Sequence, residues 1–214
     1  MMRFDRFTER AQEAAQRAIV AIVLSWLGIV LYLALSFRGF QWGAAAVICL
    51  IHDVLIVVGL IAASGWLHNT LVGRTLAIDS FKIDLAMVAA ILTVIGYSVN
   101  DTIVVFGYIR ESPAVGQGRG WSTRAVDWSV VSRVLDEAIN RTFSRTLITS
   151  LTTGIVVFVM YVWGGPGIHA FSYALLAGVI FGTYSSIAIA APLLMGLRGA
   201  VAARIRKQPK AEEA

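Results

Sequence analysis

The chain has 214 residues, of which 57% are hydrophobic and 14% charged, and its mean hydropathy is +0.74. Soluble domains carry roughly 25% charged residues, so 13 acids and 18 bases are too few to solvate a water-soluble globule, and lipid must be the solvent for most of the length. The net charge of +5 is read as Lys and Arg gathered in cytoplasmic loops rather than as a nucleic-acid surface, and the single Cys49 excludes an intrachain disulfide.

Crossing the hydrocarbon takes about 20 mostly apolar residues. Backbone polar groups have no partner in lipid, so spans of this kind must be helical. The fold class is therefore all-α, a polytopic transmembrane bundle of five spans. Residues 1–17 form a polar arm, and the apolar stretch behind it is long enough to span, which argues against a cleavable signal peptide. The first span is Ala18–Phe37. The link Arg38–Gln41 is so short that spans one and two must form an antiparallel hairpin. The second span, Trp42–Trp66, carries His52 and Asp53 near its centre. Ser64–Asp84 is a moderate loop. Span three, Leu85–Ile109, carries Asn100 and Asp101. The link Arg110–Thr142 is the longest, Gly-rich at Gly116, Gly118 and Gly120. It then turns amphipathic at Val126, Val130, Val134, Leu135 and Ile139, which predicts a short surface helix leading into span four, Phe143–Trp163. Span five is Phe171–Leu197, with Pro192 near its end, and 198–214 is a basic tail.

Five spans place the termini on opposite sides. Arg38, the 110–142 loop, Arg145 and the tail hold 12 of the 18 bases, which predicts a cytoplasmic loop and C-terminus and an exported N-terminal arm. An exported N-terminus without a preceding span is unusual and points to a span missing upstream.

An ionisable side chain inside a span is a functional hypothesis by default, because inserting it costs roughly 2.5–3.5 kcal/mol even on the lenient scale. Asp101 lies about 12 Å from the end of span three, too deep for its short side chain to reach the interface. Thr93, Tyr97, Asn100 and Val104 are expected on its face. Arg145, Thr149, Thr152 and Thr153 form a polar stripe on span four. Asp101 and Arg145 are expected at similar depth and facing each other, as a charge pair or a titrating site, against the alternative of a static ion pair that fixes packing. His52 and Asp53, about 100° apart on one helix, are expected not to pair with each other, one of them facing Asp101 or Arg145 instead. Either is as readily an interhelical hydrogen-bonding residue as a functional one. His52, His68 and His169 fall in separate segments without ligand spacing, so no metal site is expected, and His68 and His169 read as interfacial. No protease, P-loop or nucleophile motif is present. Span five carries Ala174, Gly178, Gly182, Ser186 and Ala190 at every fourth position, a surface that lets another helix approach closely.

Four segments, in order, carry a resemblance. ILTVIGYSVNDTIVVFGYIRE (Ile91–Glu111), NRTFSRTLITSLTTGIVVFVMYVWGG (Asn140–Gly165), LLAGVIFGTYSSIAIAAPLL (Leu175–Leu194) and LIHDVLIVVG (Leu50–Gly59) are similar to the fourth, fifth, sixth and third spans of the protein-export membrane protein SecF, of the SecD/SecF family of RND-type transporters. The resemblance covers roughly Ala18–Leu197. It implies an RND-like bundle in the bacterial inner membrane that uses the proton-motive force to help the Sec translocon move polypeptide, with no enzymatic chemistry and no cofactor. It implies SecD and the SecYEG translocon as partners, with SecA and YajC- or YidC-type proteins alongside. Exported polypeptide is met through the complex, membrane lipid surrounds the chain, and nucleic acid is not expected. By resemblance Asp101 is the membrane aspartate of the GYSxND motif, with Asn100 and Tyr97 beside it, and Arg145 the arginine of the SRT motif. The family's first span and extracytoplasmic domain are not in this sequence, which reads as the C-terminal half of a split or fused product. Where the family has Asp-Arg-Ile-Arg-Glu after VVF, this chain has Gly107-Tyr108-Ile109-Arg110-Glu111, so one family acid is lost. The other readings are a subunit that only stabilises the translocon, and an RND-type small-molecule exporter.

Overall fold

In the computed structural model, residues 2–37, 40–81, 84–111 and 128–197 are described. The Gly-rich stretch, Val126, Arg38, Lys82 and the basic tail lie outside them. The helices are α1 (Met2–Phe37), α2 (Phe40–Leu67), α3 (Leu71–Thr75), α4 (Leu85–Glu111), α5 (Trp128–Trp163) and α6 (Pro166–Ser185). From α6 the chain continues through a π-helical turn, Ser186–Ala190, and on helically to Leu197. Five helices are long and apolar enough to cross a membrane: Ile19–Phe37, Phe40–Leu67, Leu85–Glu111, Ser132–Trp163 and Pro166–Leu197.

Two helices outrun the hydrocarbon. At 1.5 Å per residue, the 36 residues of α1 and of α5 each extend about 54 Å, against a core of about 30 Å. The polar arm is thus the first part of α1, and the amphipathic segment is the first part of α5, not a separate surface helix. Nothing between Trp128 and Gly154 breaks the helix, and an i,i+4 pair, Arg141–Glu137 at 2.9 Å, lies on its exposed face. Val134, Ala138 and Thr142 face inward while Arg133, Asp136 and Glu137 face out.

α4 and α6 form the broadest contact, flanked by α5 and α2, and α1 packs chiefly on α2. The α1–α2 crossing is tight at Gly43, where a Cβ would stand 3.1 Å from the Val30 carbonyl oxygen and α1 would have to give by a few tenths of an ångström. At one end of the bundle Phe37 stacks on Trp42 with ring centroids 5.0 Å apart, and Phe106 meets Trp42 edge-on. Val105, Ile109, Val134, Ala138 and Leu194 complete that cluster. Arg110 caps it, donating to the Ser36 carbonyl at 2.7 Å. At the other end Gly165 takes φ of 76°, a region L side chains avoid, and Pro166 opens α6 five residues earlier than apolarity alone predicts.

The 68–84 connection contains α3 and is fastened to the bundle. Tyr161 Oη donates to the Leu76 and Ala77 carbonyls at 2.8 and 2.9 Å. His169 stacks on Tyr161 and sets its two ring nitrogens against the Tyr161 and Ala77 carbonyls. His169 is therefore a structural ring under this connection. His68, half-buried, has its Nδ1 enclosed without a hydrogen-bond partner.

Gly178 and Gly182 lie against α4, and Ser186 is buried at the start of the π turn. A Cβ at Gly178 would overlap the Val94 side chain, whereas one at Gly182 meets Ser98 Cβ at an ordinary 3.4 Å. Gly178→Ala is therefore expected to cost about 1–3 kcal/mol by overpacking, and Gly182→Ala well under that. Unfolding midpoints of the two variants in detergent micelles check the order.

Candidate functional site: carboxylates buried between the spans

Asp53 sits midway along α2 and is 1% exposed. Its Oδ2 accepts from Ser98 Oγ of α4 at 2.5 Å and from Ser185 Oγ of α6 at 2.8 Å. Its Oδ1 faces His52 Nδ1 at 3.1 Å. The expectation that His52 and Asp53 do not pair is thus corrected. The angle between neighbouring Cα–Cβ bonds is large, but Nδ1 lies close to the backbone, and the ring folds over the carboxylate from the bundle's rim. Neither residue is hydrogen-bonded to Asp101 or Arg145. The carboxylate faces hydroxyls because α6 comes close to α4 over Gly178 and Gly182, which carries Ser185 alongside Ser98.

A second polar chain runs beside it, from residues adjoining Ser98 and Ser185. Tyr97 Oη donates to Ser150 Oγ of α5 at 2.9 Å, and Ser150 shares a 2.6 Å bond with Thr183 of α6. Ser98, Ser150, Thr183 and Ser185 did not stand out in the sequence, since small hydroxyl residues in a span usually bond to their own helix. The one available signal was that Ser98 and Tyr97 sit inside the GYSxND segment.

Asp101 is 3% exposed in α4, and its Oδ2 has no hydrogen-bond partner among the described residues. Thr93 and Asn100, expected on its face, are exposed instead, and Tyr97 and Val104 are half-buried, so these residues form a neighbouring strip. Arg145 is exposed on α5. It is near enough for its charge to act on the Asp101 carboxylate, yet no ion pair joins the two among the described residues. The expected facing pair is therefore an offset one, with the acid inside the bundle and the base on its surface. Thr149 and Thr152 donate to carbonyls of their own helix, Arg145 and Thr146 for the first, Ile148 and Thr149 for the second. Their hydroxyls are satisfied without a neighbour. The Asn100 amide and the Arg145 guanidinium are exposed on helices apolar enough to cross a membrane.

Together the fold and these groups define a class: a five-span helical membrane protein with carboxylates buried between its spans. The chain belongs to the SecD/SecF protein-export membrane protein family, since the model of the family's C-terminal region matches residues 8–200. It is 39% identical over 197 residues to the protein translocase subunit SecF of Rhodothermus marinus, covering 92% of this chain and 57% of that one. It is 38% identical over 189 residues to the SecF subunit of Haemophilus influenzae, covering 87% and 50%. The chain thus spans about half the length of the curated relatives it matches. A crystal structure of SecDF in a super-membrane-facing form matches with TM-score 0.69 at 29% identity, over 91% of this chain and 23% of that one. SecDF from Thermus thermophilus, described as a translocon-associated membrane protein, matches with TM-score 0.63 at 30% identity, over 84% and 21%.

A hydrogen bond to a charged group contributes about 1.5–3 kcal/mol. Ser98→Ala and Ser185→Ala are each expected to lose stability in that range. The double variant should lose more than the sum, because either serine partly compensates for loss of the other at the shared oxygen. Unfolding of the single and double variants in the same detergent measures this.

Proposed function

We propose that this chain is the membrane domain of a SecF-type subunit that works beside SecD at the Sec translocon, and that it takes up and releases a proton at Asp101 to drive polypeptide export. The observation that carries the reading is the buried Asp101 carboxyl with its unpartnered oxygen. An ionised carboxylate left so is among the costliest groups to hold in an apolar interior, whereas a proton on that oxygen removes the charge. Arg145, always charged, stands where it attracts the ionised acid and loses that attraction when the proton binds. Each protonation change therefore alters how strongly α4 and α5 are drawn together, and a partner's extracytoplasmic domain converts the repacking into movement.

The partner's docking face follows from the same residues. Asn100 and Arg145 are exposed on a surface otherwise set in lipid, where polar side chains face protein or water. SecD supplies that protein surface in this reading. The family, the order of the motifs and the match to SecDF structures support it.

Asp101→Asn keeps shape and some hydrogen bonding but carries no proton. In cells lacking the native subunit it is expected to reduce secretion to the level of the deletion at unchanged protein abundance. Arg145→Lys is expected to impair secretion as well, because an ammonium is a point charge without the planar fork. Full complementation by Asp101→Asn at equal abundance would replace this reading with a subunit that only stabilises the translocon.

The excess of bases around 110–145 and in the tail supports a cytoplasmic position for that side. Gly73 is a poor labelling position, because a side chain there would overlap the Leu67 carbonyl, but Leu71 is 80% exposed in the same connection. Leu71→Cys is expected to react with an impermeant thiol reagent in intact cells, and Asp136→Cys, on the exposed face of α5, only after lysis. The opposite labelling would reverse the orientation.

A further inference from the structure

We infer that His52 and Asp53 form a second proton-binding site, in which His52 passes a proton from the bundle's rim to the Asp53 carboxylate and Ser185 reads whether it is there. The geometry stands independently of the Asp101 reading, but a use for this site in an export cycle rests on it.

Asp53 is buried, whereas the His52 side chain is 37% exposed and links the carboxylate to the outside of the bundle. Nδ1 stands 3.1 Å from Oδ1, which is proton-transfer distance. The transfer balances with hydronium as the proton donor, which leaves as water. His52 starts neutral with its proton on Nδ1, and Nε2 takes a proton from the outside. Nδ1 then gives its own proton to Oδ1, leaving a neutral acid and a neutral imidazole protonated on Nε2. The net change is one proton bound and one negative charge removed.

Ser185 gives that change a consequence. Its hydroxyl has one proton and three groups within reach, Asp53 Oδ2 at 2.8 Å, the Gly182 carbonyl at 3.1 Å and the Cys49 thiol. A hydrogen bond to a charged oxygen is roughly twice as strong as one to a neutral oxygen. With Asp53 ionised, Ser185 is held to α2. With Asp53 neutral, that charge-assisted preference is lost and the bond to α2 weakens. Ser185 sits at the entry of the π turn Ser186–Ala190, an irregularity of the kind that often marks a functional position. Loosening the Asp53–Ser185 bond therefore acts where α6 is already irregular. Among the described residues, the titratable groups recorded against Asp53 are His52 and Cys49, both on α2. From α4 and α6 it is met by the hydroxyls of Ser98 and Ser185.

The test is infrared difference spectroscopy of the full chain in lipid nanodiscs, titrated between about pH 2.5 and pH 9, a window that brackets ordinary carboxyl and imidazole titration. In Asp101→Asn protein, a protonated-carboxyl C=O band is expected to grow as pH falls, and to be lost when Asp53→Asn is added. Ser185→Ala in the same background keeps the carboxyl and is expected to shift the band to higher frequency, which serves if Asp53→Asn lowers the yield of folded protein. His52→Gln should leave the final amplitude and slow its appearance after a pH jump by about tenfold or more. A pH-dependent carboxyl band insensitive to both Asp53→Asn and Ser185→Ala, or no such band, would make Asp53 a fixed anionic clamp and overturn the inference. The Asp101-dependent band is read separately in Asp53→Asn protein, so failure at one site leaves the result at the other standing.

Discussion

Lipid offers no hydrogen bonds, so every polar group carried into the membrane must find its partner on another span or on its own helix. The Asp53 carboxylate answers this constraint by accepting from α4 and α6 together, and much of the bundle follows from that one node. For Ser98 and Ser185 to share an oxygen, α6 must lie close against α4, which only the small side of α6 permits, with Gly178 under Val94 and Gly182 over Ser98. Hydrophobic burial gives little direction between helices in lipid, because acyl chains are as apolar as leucine. Close packing and a shared carboxylate supply the direction instead.

The two acids therefore hold different positions in the same solvent problem. Asp53 is enclosed by donors, and its partners tie three helices together. Asp101, on the same helix as Ser98, has one oxygen with no donor among the described residues, and the cation that acts on it lies outside the bundle's core. Asn100 and Arg145 are exposed on the surface next to Asp101.

Away from the acids the packing separates into two ends. Aromatic rings lock the α1–α2 hairpin to the end of α4, while at the opposite end Tyr161, His169, Tyr173 and Phe81 gather under the 76–81 backbone. The middle layer, where both carboxylates lie, is the part built from serine, threonine and glycine. The π turn in α6 falls just ahead of Pro192, whose ring cannot donate to the carbonyl of Ala188 and crowds it. Irregular backbone and small polar side chains thus coincide at the depth where charge is held.

Composition and periodicity alone determined that the chain is helical and membrane-embedded, because a run of about 20 apolar residues has no other stable solution in water or lipid. They also marked Asp53, Asp101 and Arg145, since a charge within such a run is conspicuous, and the four motifs carried the family. Helix lengths were less legible: the amphipathic segment and span four proved to be one helix, because nothing in the sequence says where a continuous helix leaves the hydrocarbon. Which polar groups meet was not legible. His52 and Asp53 pair although helical geometry separates their Cβ directions, and Asp101 is buried while its neighbour Asn100 is exposed. Ser98, Ser150, Thr183 and Ser185 became partners only once α4, α5 and α6 were set against one another. A serine's sequence neighbours record its helix, whereas its hydrogen bond depends on how far another helix can approach, and that distance belongs to the tertiary structure alone.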